Sequence, residues 1–225
     1  MLENITLPVY KGKFVRQSGQ SFYQVPTGEC YPGVTKIIQK TEPFEDKLPL
    51  LKWRQRVGKE TAQKISTQSS RRGTKLHHLI AQKLKGENPK SIPDELAGFW
   101  HSIYSFLDEQ IEQPLLIESL VWNSQDRYAG NLDCLAVING KTTLCDWKTA
   151  RKPRRNEWNR NYYLQCAAYT TAIEKVYAEF EIKVQQVLVV VALPDSSAQI
   201  FCLEGQELEQ YWQEFQMRLE TFYQE

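Results

Sequence analysis

Residues 128–148 read YAGNLDCLAVINGKTTLCDWK. Asn139-Gly140, in the middle, is the strongest short-range signal for a two-residue hairpin turn, because both central residues must adopt positive φ. Val, Ile, Leu and Thr flank it on both sides, as strands prefer. A tight turn there puts Asp133 directly opposite Asp146, and Asn131 opposite Lys148. Opposed residues of an antiparallel pair share a face, with Cβ atoms roughly 5 Å apart. Lys148 follows Asp146 by two positions and emerges on that same face. This register holds only if neither strand carries a bulge.

Two carboxylates at that distance repel unless something positive sits between them. An Asp pair with an adjacent Lys suits a hard divalent cation that keeps positions open for phosphate and water. Asp-x-Lys on a strand is by itself a common surface pattern, and short motifs mislead. A salt bridge from Lys148 to one Asp would still leave the second carboxylate unexplained. The chemistry expected is a metal-dependent nuclease site. A second turn near Gln125-Asp126 would bring Glu118 opposite Asp133, as a supporting acidic group.

The rest of the chain frames that hairpin. Lys13 to Val25 reads as a small hairpin, Val34 to Lys40 as a first helix, Thr41 to Pro49 as a charged linker, and Leu50 to Val57 as a second helix. Ser69 to Thr74 reads as a helix break or cap. Beyond it Leu76, Leu79, Ile80 and Leu84 recur at helical spacing, and His77 borders their buried stripe. Pro93 to Ile111 is a helix with a wide apolar stripe, and three strands follow. Arg151, Lys152, Arg154, Arg155 and Arg160 are interleaved with Trp158, Tyr162 and Tyr163, a pattern suited to phosphates and stacked bases. A basic run is more often a solvated loop; its place just after Lys148 favours phosphate contact. Asn161 to Tyr177 is helical, with Gln165 and Tyr169 on one face. Val187 to Leu193 lacks alternation and reads as a doubly buried strand. The last helix carries Leu208, Tyr211, Trp212, Phe215, Leu219 and Phe222 on one side.

The 225 residues are 41% hydrophobic and 24% charged, ordinary for a soluble globular protein, and the net charge of +1 leaves any nucleic-acid signal local. Five scattered cysteines without C-x-x-C spacing suggest reduced thiols and no zinc site. The start, MLENITLPVY, has neither a secretory apolar region nor Arg-rich transit character, and no run is long enough to span a membrane. A cytoplasmic monomer is expected.

Gly130-Asn131-Leu132-Asp133, Asp146-Trp147-Lys148 and Gln165-Cys166-Ala167-Ala168-Tyr169 resemble motifs of the PD-(D/E)XK nuclease superfamily, in its RecB-like branch. Gly73-Thr74-Lys75-Leu76-His77 resembles the His-bearing helix of that branch. With Tyr31-Pro32-Gly33-Val34-Thr35, the ordered set is similar to that of the mitochondrial genome maintenance exonuclease family. Asn131-Leu132 stands where the superfamily name has Pro.

The resemblance implies an α/β (α+β-type) fold: a restriction-endonuclease-like mixed sheet flanked by helices, with an N-terminal helical arch. One nuclease domain would span 1–225, with a hairpin and helical part (1–112), a catalytic sheet core (113–204) and a C-terminal helix (205–225). It implies catalysis by Asp133, Asp146, Lys148, Gln165 and Tyr169. Mg²⁺ or Mn²⁺ would be held by Asp133, Asp146, His77 and the Trp147 carbonyl, and the imidazole would tilt the site toward Mn²⁺. The four-cysteine pattern that holds an iron–sulfur cluster in some relatives is missing, so no cluster is expected. The partner implied is single-stranded DNA with free ends, reached under an arch over Val34 to Ile65 where Trp53 and Arg54 would contact the strand. An endonuclease of the same superfamily and a catalytically silent nucleic-acid-binding module are the alternatives.

Overall fold

The computed structural model describes residues 5–224. An N-terminal three-stranded antiparallel sheet is built from β1 (Lys13–Gln17), β2 (Gln20–Gln24) and the short β3 (Cys30–Tyr31). Helices α1 (Val34–Lys40), α2 (Phe44–Val57), α3 (Lys59–Leu84) and α4 (Asp94–Glu109) follow. The main sheet then begins with β4 (Gln113–Asn123), β5 (Tyr128–Ile138) and β6 (Lys141–Thr149). Helix α5 (Arg160–Val176) crosses to β7 (Gln186–Ala192), and β8 (Gln199–Glu204) and α6 (Gly205–Gln224) complete the chain. Strand order is β4-β5-β6-β7-β8, antiparallel except for the β6–β7 pair, so the molecule is a mixed α/β fold with a five-stranded mixed sheet.

Both faces of the sheet are covered. Val34 and Ile37 of α1, Leu164 and Ala168 of α5, and Phe215 and Leu219 of α6 pack on one face with Leu144, Val187 and Val189. Leu76 and Ile80 of α3 and Phe99, Trp100 and Ile103 of α4 pack on the other with Cys145, Trp147, Leu188 and Val190. Every residue of β7 is therefore buried, which is why its sequence shows no alternation. None of the described helices is long and apolar enough to cross a membrane.

The Asn139-Gly140 turn forms, with φ of 51° and 70° at its two residues. Its register runs as the turn dictates, from Ile138–Lys141 to Cys134–Cys145, and there the ladder stops. On the other side, β4 pairs with β5 at Ile117–Cys134 and Ser119–Leu132, while Glu118 and Asp133 do not pair and Glu118 takes φ 51°. Tyr128 and Leu132 lie in the core under α5, whereas Cys134 and Ala136 lie in the core under α3 and α4. The alternation of β5 thus slips by one residue at Asp133. The strand is irregular at the acidic residue, not smooth through it as the turn alone would suggest.

Two helix boundaries differ from expectation. α2 begins at Phe44, so six of the nine residues of the expected linker are helical; Pro43 is its N-cap and Glu45 and Asp46 sit in the first turn, where carboxylates favour a helix start. α3 runs unbroken through Ser69 to Thr74, Gly73 included. Arg72 is bonded to Thr149 and stacked on Phe99 there, and tertiary contact outweighs local propensity.

Helix α4 lies so close to the chain after β7 that a Cβ on Gly98 would come within 2.2 Å of the Pro194 carbonyl oxygen. Backbone atoms on both sides cannot give way, so Gly98→Ala should lower stability by about 1–3 kcal/mol. Urea denaturation checks this; an unchanged midpoint would mean that the two segments are not packed this way.

Candidate active site

The interruption at Asp133 leaves a backbone N–H without its ladder partner, and the aspartate fills the gap. Trp147 N–H donates to Asp133 Oδ2 at 2.9 Å, while Asp133 Oδ1 faces His77 Nδ1 at 3.2 Å. His77 comes from α3, and its Nε2 lies 2.7 Å from the Trp147 carbonyl oxygen. Both neighbours of the ring are acceptors, so only a doubly protonated imidazolium can donate to both. Asp146 is 5% exposed, and its Oδ2 makes an ion pair with Lys148 Nζ. The Lys148 ammonium is the charge that meets this buried oxygen. Lys148 Nζ also sits 4.8 Å from the centre of the Tyr162 ring on α5.

Charge and burial push these groups apart. Burial alone would raise Asp133, but His77, Lys148 and the Trp147 N–H together hold its pKa below the ordinary carboxylate value. Burial raises Asp146, with the charge of Asp133 adding to it; Lys148 and His77 oppose this and lose. Burial draws Lys148 down, yet Asp146 and Asp133 outweigh it and the ammonium is held above its usual range. For His77, burial lowers the pKa and Asp133 more than restores it, by charge and hydrogen bond.

The other expected site residues fall into three groups. Gln165 and Tyr169 do meet: Gln165 Nε2 donates to Tyr169 Oη at 3.0 Å and reaches Thr35 Oγ1 at 3.5 Å. Tyr169 is buried against Gly130, where a Cβ would fall 2.5 Å from its ring, so that glycine is required by close approach. Glu118 is exposed, on the wall of a cleft of about 500 Å³ that also contains His77, Asn131 and Asp133. Arg151, Lys152 and Arg155 are exposed on the loop after β6, Arg54 is exposed on α2 and Trp53 beside it is half-buried.

The third group has structural work. Tyr163 is 2% exposed, bonded to Asn156 and packed on Tyr211, so it is not available to stack on a base; the helical phase of α5 turns it into the core and Tyr162 outward. Arg160 is paired with Glu214 and Asp46. Arg154 donates to Asn159 Oδ1 at 2.9 Å and to the Trp158 carbonyl at 2.6 Å, holding the loop's shape. Sequence reasoning missed Lys11 and Thr74, which line the cleft with Asp133. Thr74 lies within the His-bearing motif, but nothing in the local pattern around Lys11 pairs it with Asp133.

In EDTA the His77–Asp133 pair should give a pH-dependent contribution to stability. The folded-state pKa of His77 is raised, so its stabilisation is complete below the unfolded value of about 6.5 and is lost as pH rises through the folded value. Urea denaturation from pH 5.5 to 8.5, wild type against His77→Gln, should show a wild-type advantage that shrinks with pH. Parallel curves would contradict the pairing.

No family model matches the chain. It is similar to mitochondrial genome maintenance exonuclease 1 of Mus musculus (30% identical over 201 residues) and of Homo sapiens (28% over 200). Each alignment covers 85% of this chain and 58% of the relative, so the chain spans a little over half the length of the curated proteins it matches. Among solved structures it is similar to a provisionally named exonuclease from Eubacterium rectale, at 13% identity and TM-score 0.42 over 67% of this chain and 64% of that one. A second is LHK-Exo in complex with dAMP, at 16% identity and TM-score 0.33 over 67% and 77%.

Proposed function

We propose that this chain is a divalent-metal-dependent DNA exonuclease that hydrolyses phosphodiester bonds and prefers single-stranded DNA with free ends. The observation that carries the proposal is the convergence of Asp133, Asp146, Lys148 and His77 where β5 parts from β6. The exonuclease name of the curated relatives supports it.

Among the described residues no three His, Cys, Asp or Glu side chains are arranged to hold an ion as they stand. The donor chemistry nevertheless suits Mg²⁺ or Mn²⁺. Two carboxylates and the Trp147 carbonyl are hard oxygens, His77 adds a nitrogen, and the buried Asp146 Oδ2 is already met by a cation, the Lys148 ammonium. In this proposal Lys148 and the proton on His77 provide positive charge that a bound ion would provide, and both would give way to it. Held by Asp133, Asp146, His77 and the Trp147 carbonyl, an ion would supply a bound water of lowered pKa and charge neutralisation at the scissile phosphate.

The chain's own groups supply the rest. Lys148, displaced from Asp146, offers its ammonium to negative charge building on the phosphate. Tyr169 keeps its proton, because burial raises its pKa well above the ordinary value, so with Gln165 it is a neutral donor beside the site. Glu118 supports the acidic cluster from the cleft wall. Arg151, Lys152 and Arg155 contact backbone phosphates. Residues 34–65, with Trp53 and Arg54, form the arch that admits a threaded strand, and the whole chain acts as one nuclease domain and as a monomer in the cytoplasm.

End-labelled single-stranded DNA, incubated across a titration of Mg²⁺ or Mn²⁺, should be degraded only with metal. Asp146→Asn should lower turnover by at least about 10²-fold while DNA is still bound; unchanged turnover would remove Asp146 from the site. Circular single-stranded DNA should survive, and efficient cutting of circles would instead identify an endonuclease.

A further inference from the structure

A cleft of about 420 Å³ opens between α3, α4 and the chain just after β6, on the side of β6 away from α5. Arg71, Arg72 and Lys75 of α3 and Arg151 line it, with Glu95 and Phe99 from α4. Lys75 pairs with Glu95 at 2.5 Å, which uses the cleft's one carboxylate. Arg71 and Arg151 have no carboxylate partner among the described residues, and both are exposed.

Arg72 is fixed in place. Its Nε donates to Thr149 Oγ1 at 3.2 Å and its Nη2 to Ser69 Oγ at 3.4 Å, while the guanidinium lies 4.8 Å from the centre of the Phe99 ring. Burial lowers its pKa and the positive charge of Arg151, on the same cleft, lowers it further, so the two guanidiniums repel. Those bonds use the Nε–Nη2 edge and leave the Nη1–Nη2 edge, which beside unpaired cations can take a phosphate bidentately.

The cleft adjoins the proposed catalytic cluster. Thr149 follows Lys148 in the chain, and His77 of the same helix reaches the Trp147 carbonyl. Arg72 and His77 are five residues apart on α3, and they reach Thr149 and the Trp147 carbonyl, two positions apart on β6.

We propose that this cleft is a phosphate-binding subsite that takes a phosphate of the substrate strand next to the scissile one, with Arg72 as its fixed ligand and Arg71 and Arg151 completing the grip. The proposal rests on the nuclease function proposed above and adds to it a subsite on the far side of β6. The phosphate is either the monoester at a strand end or an internal diester, and both have the same chemistry for a guanidinium.

The test is fluorescence anisotropy in EDTA, where strands stay intact, across a salt series. Wild type and Arg71→Gln/Arg151→Gln are compared on one oligodeoxynucleotide carrying a 5′-phosphate, a 3′-phosphate or neither; Arg72→Lys, which keeps charge but not the fork, is the second variant. The double variant should bind at least about 10-fold more weakly, and its log–log salt slope should fall by up to about 1.4, near 0.7 for each lost phosphate contact on single strands. Loss confined to one phosphorylated end identifies a terminal monoester; equal loss on all three identifies an internal diester. Unchanged affinity and slope in both variants, with a wild type that binds and degrades the strand, would overturn the subsite and leave the nuclease standing. A wild type that neither binds nor cuts any of the three strands would overturn both.

Discussion

Two carboxylates at the end of one hairpin, Asp146 buried and Asp133 half-buried on a cleft wall, set the terms for the structure around them. Anions so shielded from water need positive charge, and the chain brings it from three directions. Lys148 comes from the same strand as Asp146, His77 from a helix on one side of the sheet, and the Trp147 N–H from the backbone itself. Each has a cost elsewhere. α3 must run without interruption along β6 for His77 to reach the Trp147 carbonyl, and β5 must give up its ladder at Asp133 for that carboxylate to accept the Trp147 N–H.

Placement of the cluster follows from topology. The β6–α5–β7 crossover is a parallel connection in an otherwise antiparallel sheet among the described residues, and it lays α5 over β6 with Tyr162 under Lys148 and Tyr169 against Gly130. The α3–α4 pair covers the opposite face and delivers His77. The groups of the acidic cluster and their supports thus come from both layers of helix, so the cluster is only as rigid as the packing between all three layers.

Much of this was legible in the sequence, for identifiable reasons. Asn139-Gly140 specifies its turn by local backbone chemistry, and the turn specifies the register through Cys134–Cys145. The apolar stripe of α4 and the unbroken run of β7 declare their burial by period alone. What stayed hidden depends on distant partners. Ser69 to Thr74 looks like a helix break until Arg72 finds Thr149 and Phe99, which lie 77 and 27 positions along the chain. The basic cleft of α3 was lost with that misread segment. Tyr163 and Tyr162 are indistinguishable as neighbours in a basic aromatic run, and only the rotation of α5 decides which is core. The slip of β5 at Asp133 has no local signature, since no Gly or Pro marks it.

The central claim is that the positive charge now supplied by Lys148 and protonated His77 stands where a divalent cation belongs. Anomalous diffraction from crystals soaked in Mn²⁺ tests it most directly, because it locates the ion and the lysine together. The account predicts Mn²⁺ density, from one ion or two, beside Asp133 and Asp146, with Lys148 Nζ withdrawn from Asp146. No peak there at millimolar Mn²⁺, with the lysine still seated on the carboxylate, would contradict it.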